Sequence, residues 1–162
     1  ITIQDAREIS DIFNYYILNF VITFEESPVS VEAMRERITS IVSELPWIVY
    51  ELDRQIVGYA YASKWKGRSA YRHSAEITVY LRQGESGKGV GTRLYADLID
   101  RLVNMGFHAI IGGIALPNEA SVALHEKFGF EKVAHFREVG FKFNQWIDVG
   151  YWELLAHKRV KT

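Results

Sequence analysis

Glu76-Ile77-Thr78-Val79-Tyr80-Leu81, running on into Ser86-Gly87-Lys88-Gly89-Val90-Gly91-Thr92, is the stretch that decides the architecture. The first block reads as a strand carrying one carboxylate, and the second as a glycine-rich turn. Val90, Leu94, Leu98 and Leu102 then recur at helical spacing, with Ile99 widening the apolar stripe. A helix that begins in such a turn presents unpaired backbone N–H groups and the positive end of its dipole, which suits a phosphate or pyrophosphate. Glycine lets the backbone come close to that anion.

Two familiar phosphate signatures are excluded by spacing. A P-loop needs Gly, four residues, then Gly-Lys-Ser/Thr, but Gly87-Lys88 is followed by Gly89 and position 82 is Arg82. The dinucleotide fingerprint needs glycines at its first, third and sixth positions, whereas here they fall at 87, 89 and 91.

Composition narrows the class further. The chain has 162 residues, 48% of them hydrophobic, enough for the core of one globular domain, expected to span 1–162. A formal net charge of -1 gives no footprint for nucleic acid. The absence of cysteine removes disulfides, thiolate zinc sites and a cysteine nucleophile. No apolar run approaches the roughly 20 residues of a membrane span, and no signal peptide is visible. The expectation is a cytoplasmic protein with no metal.

Outward from the turn, the pattern predicts an element order. Ile1 to Ile3 reads as a short strand, and Ile9, Ile12, Phe13, Tyr16, Ile17 and Phe20 mark an amphipathic helix. Ser30 caps a second helix with inner face Val31, Met34, Ile38, Ile41 and Leu45. Residues 47–52 and 55–63 read as a hairpin around Asp53-Arg54, followed by a basic, aromatic loop to Ser74. After the strand at 75–81 and its helix comes an apolar strand, 109–116, in which Gly112-Gly113 permits close backbone approach or a bulge. A helix from Pro117-Asn118 to Phe128-Gly129 and strands at 130–135 and 146–155 complete the chain. This order predicts a single α/β domain with a mixed, largely antiparallel sheet.

On an extended strand Glu76, Thr78 and Tyr80 share one face, and Ile77, Val79 and Leu81 the other. The apolar face would pack on the following helix, leaving Glu76 to point across the sheet; Glu76 also reads as a plain solvent-facing glutamate. In the later helix Asn118, Ser121 and His125 fall on one polar side, with Ala120, Ala123, Leu124 and Phe128 on the packing side. Asn118 reads most simply as an N-cap, and His125 alone as a surface histidine.

The glycine spacing resembles the pyrophosphate loop of the GCN5-related N-acetyltransferase superfamily, Gln/Arg-x-x-Gly-x-Gly/Ala, with Ser86 departing from its first position. Within that superfamily, five ordered blocks resemble the phosphinothricin N-acetyltransferases. They are Trp65-Lys66-Gly67-Arg68-Ser69-Ala70-Tyr71, Ala75-Glu76-x-Thr78-Val79-Tyr80, Leu116-Pro117-Asn118, Leu124-His125-Glu126 and Trp146-x-Asp148-Val149-Gly150-Tyr151-Trp152. The resemblance implies acetyl-CoA as co-substrate, with Val79, Tyr80 and Leu81 along its pantetheine arm. It implies Gly87, Lys88, Gly89, Val90, Gly91 and Thr92 around the pyrophosphate, and Asn118 and Ser121 touching the coenzyme from the later helix. Its implied acceptor is a small L-amino acid analogue, phosphinothricin or methionine sulfoximine, bound by Lys66, Gly67, Arg68, Tyr71, Glu76, Ile77 and Thr78. Cationic Lys66 and Arg68 suit the acceptor's anionic groups; the same loop, with Lys64 and Arg72, also reads as an ordinary solvated segment. Phe24 is a further pocket-wall candidate, and a homodimer is implied.

An ammonium has no lone pair, so the acceptor must lose a proton before it attacks a thioester. Glu76 is the candidate base and His125 the candidate acid toward the departing thiolate, with Tyr80 and Tyr151 as rivals. Two other readings stay open: acetylation of another amine (peptide N-terminus, polyamine or aminoglycoside), and a non-catalytic acyl-CoA-binding module.

Overall fold

Asp53 and Arg54 both adopt positive φ (50° and 63°), as a tight two-residue hairpin requires, and so join strand β1 (Trp47–Leu52) to β2 (Gln55–Lys64). In the computed structural model these continue into β3 (Ser74–Leu81), β4 (Ala109–Leu116), β5 (Glu131–Lys142) and β6 (Gln145–Leu155), forming one sheet of order β1-β2-β3-β4-β6-β5. The structure describes residues 1–157. Every neighbouring pair is antiparallel except β3–β4, so the mixed, largely antiparallel α/β sheet is as expected.

Two hydrophobic clusters, one on each face, hold the layers together. Helices α1 (Ala6–Asn19) and α2 (Val31–Val42) pack Ile9, Ile12, Phe13, Met34 and Ile38 against Trp47, Tyr59 and Tyr80. Ser30 starts α2 by accepting a hydrogen bond from Ala33 N–H. On the opposite face lie α3 (Val90–Asn104) and α4 (Glu119–Lys127). The α3 stripe of Leu94, Leu98, Ile99 and Leu102 is buried against Ala75, Ile77 and Ile110. Burying each such side chain is worth about 1.5–3 kcal/mol, which fixes the start of α3 relative to β3.

Three expectations need correction. Residues 1–3 form no strand: Thr2 instead caps a 3-10 turn at Ile3–Asp5, its hydroxyl accepting from Gln4 N–H while its own N–H donates to Asp5 Oδ2. This local capping box satisfies the backbone that a strand would have had to pair. β5 runs on to Lys142 rather than ending near His135, because irregularities between Lys132 and Ala134 and between Phe136 and Gly140 break its alternation. In α4 the supposed polar side turns inward at His125, which is buried, whereas Ala120 and Ala123 are exposed.

Candidate active site at the split between β3 and β4

Backbone pairing creates the site. Arg82 N–H donates to Val57 O, so by alternation Ile77, Val79 and Leu81 turn their peptide groups away from β2 and toward β4. The parallel ladder with β4 pairs only Ser74, Ala75 and Glu76 with Ala109, Ile110 and Ile111. Past that point the strands part. The edge of β3 then borders a cleft of about 560 Å³, with Gly113 to Ala115 of β4 on the opposite wall.

One end of the cleft is the start of α3. Gly89 occupies its N-cap at φ 80°, in the left-handed region that favours glycine, and no side chain caps the helix. The first N–H groups are therefore available to an anion. Ser86, Gly87, Gly89, Val90, Gly91 and Thr92 line this end, together with Asn118 and Ser121 from α4. Asn118 does cap α4, its Oδ1 accepting from Ser121 N–H at 3.1 Å. Lys88 is absent from the lining, and its ammonium pairs with Glu85 at 3.1 Å. Val79, Tyr80 and Leu81 line the cleft, and Tyr16 Oη donates to the Leu81 carbonyl at 2.6 Å.

Glu76 and His125 stand at the point of divergence on opposite faces. Glu76 lies on the α1/α2 face above Gly113, where a Cβ would come within 2.9 Å of Glu76 Oε1 and 3.0 Å of Tyr151 Cε1. Burial raises the Glu76 pKa above the ordinary carboxylate value, and the nearby Lys66 ammonium opposes this. Among the described residues its carboxylate makes no hydrogen bond.

His125 lies on the other face, its ring directly over Gly112, a position that leaves no room for a β-carbon. Its Nδ1 is 2.7 Å from the Ser121 carbonyl, which can only accept, so the ring proton sits on Nδ1. Its Nε2, 3.2 Å from Tyr95 Oη, is then the acceptor of the phenol proton. Burial lowers the His125 pKa, with the Ser121 bond opposing. The neutral ring thus has no proton to give at Nε2, and an acid role requires the imidazolium that burial disfavours.

The structure divides the expected acceptor residues. Ile77 and Thr78 line the cleft, whereas Lys66, Gly67, Arg68 and Tyr71 surround a second cavity of about 310 Å³ with Glu44, Arg72 and Phe107. Glu76 lines neither cavity. Lys66 links the two regions, its ammonium 4.8 Å from the Trp65 ring centroid, and Trp65 meets Tyr151 edge-on at 5.3 Å. Tyr16, Tyr95 and Lys127 line the cleft and were not singled out from sequence. Tyr95 falls four residues before Ile99 on the α3 stripe, so its apolar ring reads as core and conceals the hydroxyl. Lys127, in the last turn of α4, carries no signal apart from its charge.

The acetyltransferase (GNAT) domain family matches residues 1–150. A phosphinothricin N-acetyltransferase of Streptomyces coelicolor is 38% identical over 93% of this chain and 90% of its own length. An L-methionine sulfoximine/L-methionine sulfone acetyltransferase of Salmonella typhimurium is 29% identical over 93% of this chain and 88% of its own. The solved structure of a phosphinothricin acetyltransferase from Sinorhizobium meliloti, in complex with acetyl-CoA, superimposes with a TM-score of 0.93 at 34% identity, covering 96% of this chain and 85% of that one. A split strand edge leading to an uncapped helix start, joined to these likenesses, makes the chain a member of the GNAT family and an acetyl-CoA-dependent N-acetyltransferase.

Proposed function

We propose that the enzyme, with its whole chain as one catalytic domain, acetylates the α-amino group of a small anionic L-amino acid analogue of the phosphinothricin or methionine sulfoximine type. The observation that carries this reading is Glu76: a half-buried carboxylate without a hydrogen-bonding partner among the described residues, at the mouth of the split and within the field of Lys66. The names of the relatives support the same acceptor class.

The residues present fit acetyl-CoA. The unpaired β3 edge suits its amide-bearing arm, and the start of α3 with Lys127 suits its pyrophosphate. When bound, the coenzyme supplies an acyl thioester. Glu76, directly or through one water, takes the proton of the acceptor ammonium and frees the nitrogen lone pair. A backbone N–H of the unpaired β3 edge donates to the carbonyl oxygen as negative charge develops there. Attack leaves a surplus proton on nitrogen while the departing thiolate needs one, so its passage between them balances the step. His125, the expected acid, then acts as the group that holds Tyr95, and Tyr80, which lines the cleft, and Tyr151 on the Glu76 face are the rival donors. Lys66 and Arg68 would draw in the acceptor's anionic group.

A cytoplasmic setting belongs to the same proposal; no described helix is long and apolar enough to cross a membrane. So does a homodimer. Val133, Phe136, Val139, Phe141 and Trp146 stand exposed on the β5–β6 hairpin, a surface that a second copy would cover. Sedimentation of the protein tests the dimer.

The function is tested by incubating the enzyme with acetyl-CoA and a panel of phosphinothricin, L-methionine sulfoximine, ordinary amino acids, a peptide, a polyamine and an aminoglycoside while following thiol release. Turnover concentrated on the first two supports the reading. Turnover on the peptide, polyamine or aminoglycoside instead, or coenzyme binding without release, rejects it.

A further inference from the structure

Beyond the short parallel ladder no strand pairing among the described residues joins β3 to β4, but a set of contacts on the α1/α2 face crosses the gap from outside the sheet. Lys142, near the tip of the β5–β6 hairpin, is only 1% exposed, and its ammonium donates to the carbonyls of Phe20 and Thr23, each at 2.8 Å. These carbonyls belong to the segment joining α1 to α2. Beside them the Phe24 ring rests directly on Gly140, where a β-carbon would collide with it.

The same segment reaches the β3 side of the split. Ile22 lines the coenzyme cleft, and Thr23 is buried with its side chain beside that of Tyr80. Residues 20–24 are thus bound to β3 at one point and to the hairpin at two others. A buried ammonium is costly, and an apolar side chain would fill the space more cheaply. What the ammonium adds is two directed bonds. Burial pulls the Lys142 pKa below the ordinary lysine value, with Glu26 and Glu25 opposing.

We propose that Lys142 is a positioning residue: it latches the 20–24 segment to the β5–β6 hairpin, bridges the split sheet, and so bounds the space through which the acceptor amine reaches Glu76. This rests on the acceptor reading above. The latch leaves the start of α3 untouched and meets the coenzyme cleft only through Ile22 and Tyr80, so its effect falls more on the amine than on the coenzyme.

The test replaces Lys142 in the full chain by Met, which keeps the stem and removes the ammonium, and separately makes Phe24→Ala at a partly exposed side chain. With phosphinothricin and L-methionine sulfoximine as acceptors, the apparent KM for the amine should rise on the order of ten-fold in each variant, with acetyl-CoA affinity by calorimetry changing far less. Amide hydrogen exchange at 20–24 should quicken while that of α3 does not. Unchanged amine KM and unchanged exchange overturn the proposal. So does an equal loss of amine and coenzyme binding accompanied by a general rise in exchange, which marks a merely structural prop. If the unaltered enzyme acetylates neither amine, the acceptor reading fails, and the exchange measurement alone decides whether the latch exists.

Discussion

Gly112 and Gly113 are neighbours on β4, yet they lie beneath two different kinds of chemistry. Strand alternation sends their missing side chains to opposite faces, so one makes room for the His125 ring and the other for the Glu76 carboxylate. Above Gly112 everything is saturated: both ring nitrogens of His125 are engaged, and the ring meets Tyr95 and Phe130 edge-on at 5.1 and 5.2 Å. Above Gly113 the carboxylate is half-buried and has no hydrogen bond among the described residues, with Tyr151 beside it. A polar group satisfied on every side fixes structure, because moving it exposes unmet partners. One held in partial burial without partners is available to move a proton. The lesson is that two titratable groups at the same level of a sheet need not share a task.

The strongest way to break this comparison is Glu76→Gln. Turnover with amine should fall about 10²–10⁴-fold at neutral pH while acetyl-CoA affinity holds; near-normal kcat across pH would remove Glu76 from the base role. Adding a methyl group beneath each residue sharpens it. Gly113→Ala displaces the carboxylate and should lower kcat by about 10²-fold with little change in Tm. Gly112→Ala overpacks the His125 site and should cost about 1–3 kcal/mol of stability in denaturant titration.

Tyr95→Phe leaves His125 Nε2 without its donor, with an expected cost of about 1–3 kcal/mol and only a modest change in kcat. A collapse of kcat at unchanged stability would instead restore proton transfer to that face. The smallest effect is expected for Lys66→Met, read from the pH profile. The Glu76 pKa is already raised by burial, and Lys66 is what restrains it. Removing that cation raises it further, so the acid limb of kcat/KM should move to higher pH. A limb that stays in place would disconnect Lys66 from Glu76.

The glycine turn and helix at one end of the cleft were legible because their signals are local. Glycines at 87, 89 and 91 and the α3 stripe each follow from neighbouring residues. The acceptor half was less so. Lys66 and Arg68 were visible as charges, but their separation from the cleft depends on how the loop folds over Leu45 and Phe107, far away in sequence. The inward turn of His125 was hidden because a helix reads it as polar, while the space it fills is made by a glycine on another element. The far end of β5 escaped notice because its bulges interrupt the period, with Glu138 at φ 53°. Lys142 escaped for a simpler reason: a buried lysine goes against residue-type statistics.

If the pantetheine arm lies along β3 as proposed, the hydroxyl of Tyr16 on the Leu81 carbonyl bears on how it settles. That oxygen is the last outward acceptor on β3, and one of its two lone pairs is already taken by α1. An arm laid along the strand would therefore find wholly unengaged carbonyls at Ile77 and Val79, and would gain less by sliding one repeat toward the turn. On that proposal the first helix, remote from the glycines in sequence, would act as a stop that sets how deep the thioester travels before it meets the carboxylate.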